Sequence, residues 1–199
     1  MSLRRLMSAD HRRMAWKNGA GETIEVMVHP PGAGLGDFGW RVSMAGVAED
    51  GPFSAFEGIE RSLAVLSGEG LELSVAGRVP CRIGPGDPPV TFPGDVACTA
   101  RLMGGPVRDL NVMTRRGAWV HRLARADGSA APPANGPQHP PAEWRLLLAS
   151  GPARIAVGGR AVMLEPLDAL LCEGPDAAGP PPAAPGLWLI EIARPQAPG

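Results

Sequence analysis

At 199 residues, with a formal net charge of −1 and a pI near 6.4, the chain has room for one domain or two small ones, and it carries no charge excess suited to nucleic acid or an anionic membrane. Its 27 glycines and 23 prolines, set among 44% apolar residues, exclude long helices as the main element and predict many short strands joined by tight turns. Three widely spaced cysteines (Cys81, Cys98 and Cys172) with no CxxC predict reduced thiols. The N-terminus lacks an apolar stretch long enough for a signal peptide, and no run reaches membrane-span length, so the cytoplasm is the expected compartment.

A first strand is expected near residues 4–7. Residues 22–29 alternate: Ile24, Val26 and Val28 share one face, and Thr23, Glu25 and Met27 the other. Residues 38–47 repeat the pattern, with Trp40, Val42 and Met44 opposed to Arg41, Ser43 and Ala45. A short turn is expected at 53–58. Strands follow at 61–66, 71–75, 79–83, 90–92, 96–102 and 108–114, separated by Gly/Pro turns such as Pro93-Gly94-Asp95. Past residue 115, strands are predicted at 119–123, 144–149, 153–157, 161–164, 169–172 and 187–193. Two Pro/Gly/Ala-rich loops, 127–141 and 174–186, interrupt them. The rhythm of 65–102 returns weakly at 147–173, which predicts two related β-modules. So many short strands at spacings near ten residues point to a sandwich or barrel.

Three strands place polar residues at i and i+2: Thr23 with Glu25, Arg41 with Ser43, and Asp109 with Asn111. Such a face either meets water or lines the inside of a barrel, where its groups must be paired with one another or with a ligand. Apolar Met27, Ala45 and Met113 share these faces, and a mostly apolar hollow with a few convergent polar groups is the chemistry of a small-molecule site. Lys17 is the only lysine, and asparagine occurs only at 18, 111 and 135. An ammonium is a compact donor that a guanidinium does not replace at a tight site. Together Lys17, Arg41 and Arg61 favour an anionic ligand, with Asn18, Ser54 and Asn111 adding neutral hydrogen bonds. The alternative for each is a solvated strand face or strand end.

The four histidines (His11, His29, His121 and His139) form no HxH, HxxxH or HxxE arrangement, so no metal site and no cofactor are expected. No GxSxG elbow occurs. Gly19-Ala20-Gly21 precedes a strand rather than a helix, so it is read as a tight turn against a ligand or a neighbouring strand, not a dinucleotide fingerprint.

Four strings carry a family resemblance: Trp16-Lys17-Asn18-Gly19-Ala20-Gly21 with Thr23 and Glu25; Trp40-Arg41 with Ser43 and Ala45; Gly51-Pro52-Phe53-Ser54 with Phe56, Gly58-Ile59 and Arg61; and Asp109, Asn111 and Met113. In this order they resemble the HutD/Ves family over residues 4–123. Ala20 and Glu60 depart from residues common in that family. The resemblance implies an all-β bicupin, two small β-barrels of jelly-roll type packed in one chain, divided as 1–114 and 115–199. It also implies a metal-free protein of histidine utilisation that binds a small anionic metabolite such as N-formylglutamate. The ligand-binding residues would be Trp16, Lys17, Asn18, Thr23, Glu25, Arg41, Ser43, Ser54, Arg61, Asp109, Asn111 and Met113. Two other readings stay open. One is a metal-independent isomerase, lyase or hydrolase with Glu25 or Asp109 as general base and Lys17 as electrostatic stabiliser. The other is an interaction protein with solvated strand faces. No nucleic acid or membrane partner is expected, and exposed sheet edges permit a homodimer.

Overall fold

Period-two alternation places most strands where the sequence predicts them. The computed structural model describes residues 2–16, 21–127, 140–177 and 180–196. In chain order the strands are β1 (Ser2–Leu6), β2 (Arg12–Ala15), β3 (Gly21–His29), β4 (Trp40–Val47), β5 (Gly51–Pro52), β6 (Ile59–Ser67), β7 (Leu71–Val75), β8 (Cys81–Ile83), β9 (Val90–Pro93), β10 (Cys98–Leu102), β11 (Val107–Arg115), β12 (Val120–Arg125), β13 (Trp144–Ala149), β14 (Ala153–Val157), β15 (Arg160–Leu164), β16 (Ala169–Glu173) and β17 (Leu187–Ala193). Among the described residues helix is confined to two 3-10 turns, Ser8–Asp10 and Gly174–Ala177. No helix there is long and apolar enough to cross a membrane. β2 and β5 escape sequence reading, because Arg12-Arg13-Met14-Ala15 does not alternate and β5 is only Gly51-Pro52.

The chain divides into two units, residues 12–116 and a second made of 1–11 with 117–199. A boundary expected at 114/115 therefore moves by two residues, and the first eleven residues join the C-terminal unit. Pairing is the cause: β1 runs antiparallel to β16, with Leu3 opposite Cys172 and Arg5 opposite Leu170. Strand propensity near residue 4 is a local property, whereas the choice of partner strand is not.

In the N-terminal unit, a six-stranded sheet of order β2-β3-β4-β11-β6-β9 and a four-stranded sheet of order β5-β10-β7-β8 share a core of Ala45, Val47, Leu63, Val65, Leu71, Leu73, Ile83, Phe92, Ala100 and Val107. The reverse face of the larger sheet is apolar and buried too, through Ile24, Trp40, Val42, Met44, Leu110 and Val112. The C-terminal unit has a five-stranded sheet, β1-β16-β13-β17-β12, and the hairpin β14-β15, whose core includes Leu147, Ile155, Leu164, Leu170, Leu187 and Leu189. Among the described residues each sheet is open, with distinct edge strands at its two ends. The β14-β15 turn is Gly158-Gly159, with φ of 57° and 75°, the positive dihedrals that a two-residue hairpin loop requires.

The turn aspartates that mark the repeated rhythm act alike. Asp95 accepts from Arg116 and from the Gly58 amide. Asp168 is buried and accepts from Arg5 Nε (2.9 Å), the Ser8 amide (2.7 Å) and the Glu165 amide (3.0 Å). It therefore ties the N-terminal segment to the C-terminal unit. Burial works to raise the Asp168 pKa, but these donors outweigh it and hold the carboxyl below its ordinary value. A carboxylate with a depressed folded pKa stabilises above its unfolded pKa, and that contribution fades as the pH falls through the folded value. Asp168→Asn is expected to destabilise the protein at neutral pH by about 1–3 kcal/mol. In urea denaturation the difference from wild type should shrink below about pH 4.

Candidate functional site

The inner face of the six-stranded sheet is organised in rows of paired residues. One row reads Thr23, Ala45, Asp109 and Val65, and the next Glu25, Ser43, Asn111 and Leu63. The third reads Val28, Arg41, Met113, Arg61 and Phe92. Paired residues of an antiparallel sheet share a face, so the pairing brings four sequence-distant segments onto one surface. A bulge corrects one expectation. The register shifts between Glu25 and Met27, so Val28 rather than Met27 lies opposite Arg41. Met27 falls opposite Val42 on the reverse face, and Val28 packs with Phe38, Ile59 and Met113.

Ser43 and Ala45 are small. Where they sit, the sheets do not fill the space between them, and a cavity of about 550 Å³ remains. Its wall includes Trp16, Thr23, Arg41, Ser43, Ser54, Arg61, Asn111 and Met113, all named from the sequence. Met14, Ala15, Leu35, Ala45, Pro52, Phe53 and Phe56 complete it. Sequence reading missed Met14 and Ala15 because their strand does not alternate, and Leu35 because it sits in a glycine-rich turn. Phe53 and Phe56 stood in a quoted motif, but apolar side chains in a loop carry no local sign of what they cover. Lys17 and Asn18 lie outside the described residues.

Two of the expected residues are not on the wall. Glu25 accepts from Arg41 Nε at 2.8 Å and so neutralises that guanidinium. Asp109 is completely buried behind Asn111. Its Oδ1 accepts from Asn111 Nδ2 (2.5 Å) and the Ala45 amide (3.2 Å), while Oδ2 has no partner among the described residues. Burial raises the Asp109 pKa to about 7, against the opposing pull of Arg61 and of the two hydrogen bonds.

Arg61 differs from Arg41. It is 5% exposed and donates through Nε to Asn111 Oδ1 at 2.7 Å. Its guanidinium carbon lies 4.6 Å from the Phe53 ring centre and 5.6 Å from that of Phe92. Each such contact contributes about 1–2 kcal/mol when desolvated. Burial lowers its pKa, with Asp109 opposing, yet an arginine keeps its charge. Among the described residues no carboxylate pairs directly with Arg61. Asn111 is held in one orientation, because arginine only donates and an ionised carboxylate only accepts. Arg61 lines the cavity, and its Nη groups have no acceptor among the described residues.

At the other end of the cavity the Trp16 indole donates to Thr23 Oγ1 at 2.8 Å, and the Trp16 amide donates to the Gly21 carbonyl at 2.9 Å. Glycine is required at 21. A Cβ there would meet the Gly46 carbonyl oxygen at 2.1 Å and the Trp16 ring at 3.1 Å. This is the close strand approach expected of that segment. Among the described residues no group of three or more His, Cys, Asp or Glu is placed to hold a metal ion.

A family model described as HutD matches residues 8–186. An uncharacterized 21.2 kDa protein in the hutC 3′ region of Pseudomonas putida is 36% identical over 176 residues, covering 87% of this chain and 88% of its own. Protein Ves of Citrobacter koseri is 39% identical over 113 residues, 56% of this chain and 58% of its own. The structure of HutD from Pseudomonas fluorescens SBW25 (formate condition) superposes with a TM-score of 0.78 at 30% identity, covering 98% of this chain and 100% of that one. The family match spans both units, and the chain belongs to the HutD family.

Proposed function

We propose that this protein binds a small anionic metabolite in the N-terminal cavity, without a metal, as a regulatory or protective component of histidine utilisation. One observation carries the reading. Arg61 is a buried, aromatic-walled cation that lines an apolar hollow and whose hydrogen-bond acceptor among the described residues is a neutral amide. A desolvated charge without a direct counter-ion is costly, and a carboxylate taken bidentately removes that cost. The HutD name and the hutC-region relative support the pathway. N-formylglutamate, a carboxylate bearing an amide, suits Arg61 together with Ser43, Ser54 and Asn111.

No carboxylate is among the described lining residues, Glu25 is committed to Arg41, and Asp109 is hidden behind Asn111. These placements favour binding over the general-base alternative, which needs its base within hydrogen-bond reach of substrate. Lys17 and Asn18 stay in the reading on sequence grounds, as do two cupin-type barrels, a cytoplasmic location and a homodimer paired through sheet edges. The dimer is checked by sedimentation.

Calorimetry with N-formylglutamate, formiminoglutamate, glutamate and urocanate tests the reading. Saturable binding without turnover supports it; silence across the panel or product formation sinks it. EDTA is expected to leave the affinity unchanged. Arg61→Met should weaken binding at least about thirtyfold, the loss of roughly 2 kcal/mol of charged hydrogen bonding. Its far-ultraviolet circular dichroism should hold, while its melting temperature without ligand should fall at neutral pH, because Asp109 loses its cation and Asn111 its donor. Asn111→Asp would set a carboxylate beside Arg61 and supply a direct counter-charge internally. It should therefore lower affinity while the fold persists, read by the same titration and by circular dichroism.

A further inference from the structure

Proposed binding leaves the buried carboxyl of Asp109 without a role. Asp109 has one oxygen on the Ala45 amide and Asn111 Nδ2, and a second, fully buried oxygen with no partner among the described residues. It does not border the cavity, but a hydrogen-bonded chain connects it to the wall: Arg61 Nε to Asn111 Oδ1, then Asn111 Nδ2 to Asp109 Oδ1.

The charged and titratable groups around it come from five strands. Arg61 faces it from β6 and Arg41 from β4. Glu25 shares the face on β3, and Arg12 stands opposite Glu25 on the edge strand β2. Across the core on β10 lies the Cys98 thiol, which burial pushes up. Arg41 is neutralised by Glu25, and Arg12 is exposed. That leaves Arg61 as the cation to which Asp109 answers.

We propose that Asp109 is an exchangeable counter-charge for Arg61, so that a carboxylate entering the cavity is accompanied by a proton taken up by Asp109. Before binding, the buried pair is a guanidinium and a carboxylate joined through Asn111. After binding, the guest carboxylate pairs with Arg61, and the Asp109 carboxyl, having lost its share of that field, holds a proton. Charge balances: one anion and one proton enter together. In a low-dielectric interior, two carboxylates on one cation cost more than protonating one of them. A carboxyl poised near pH 7 makes the exchange available under ordinary conditions. This inference rests on the anion-binding reading.

The test is calorimetry of the full chain with N-formylglutamate at about pH 6, 7 and 8 in Bis-tris and in Tris, cationic buffers that do not compete for the site. The buffer dependence of the heat reports protons taken up. Wild type is expected to take up a fraction of a proton near pH 7 and to approach one near pH 8, with affinity falling up to about tenfold per pH unit above pH 7. Asp109→Asn, which mimics the protonated carboxyl, should take up none and bind evenly across the range. Zero uptake by wild type, or equal uptake by the variant, overturns the proposal.

If N-formylglutamate does not bind, the proposed function falls, and the ligand-free protein decides the coupling. A carboxyl with a raised folded pKa stabilises fully below its unfolded value and loses that contribution as the pH rises through the folded one. Wild type should thus lose stability relative to Asp109→Asn between about pH 4 and pH 7. In an Arg61→Met background the loss should run to higher pH. A window that does not move shows Asp109 indifferent to Arg61 and overturns the proposal.

Discussion

A single buried charge organises the N-terminal unit. Arg61 lies inside a β-lined hollow with aromatic rings at its flanks and an amide at its Nε. Desolvation works against that charge, and the unit answers with graded support rather than direct neutralisation. The phenyl faces supply a quadrupole, Asn111 a dipole, and Asp109 a field at one remove. Each helps, and none closes the cation's outward edge. On the proposed reading such a site suits a guest anion, because the cost of ordering and desolvating the arginine is already met in the fold.

The C-terminal unit shows the contrast. Arg145 is as deeply buried as Arg61, yet it donates through Nε (3.1 Å) and Nη2 (2.7 Å) to Glu191, and Arg122 lies 3.6 Å from the same carboxylate. Here the counter-charge is built in, and the arginine is satisfied by its own sheet. Arg145 is thus satisfied as Arg41 is, by a glutamate, and Arg61 differs from both because its acceptor is an asparagine.

Small residues and backbone geometry make room for the site. Ser43 and Ala45 sit mid-strand on the inner face, where Leu63 and Val65 fill the equivalent space two strands away. Gly21 lets its strand pass within contact distance of Gly46 and hold Trp16 at the cavity rim. The bulge after Glu25 carries Met27 to the other face, and Glu25 is held by Arg41.

Much of the strand pattern and most of the cavity wall were legible in the sequence. Alternation grouped Thr23, Arg41, Ser43 and Asn111 on polar faces that could meet water or line an interior, and short motifs singled out Trp16, Ser54 and Arg61. Those are local properties: parity along a strand and the chemistry of a side chain. Tertiary structure alone decided that β1 closes the C-terminal unit, that Glu25 is spent on Arg41, that Asp109 stands behind Asn111, and that Phe53 and Phe92 flank Arg61. The reason is physical. A period of two says which residues share a face, but which strand lies beside it, in what register, and which charge finds a partner there are settled by hydrogen bonds and packing between residues far apart in the chain.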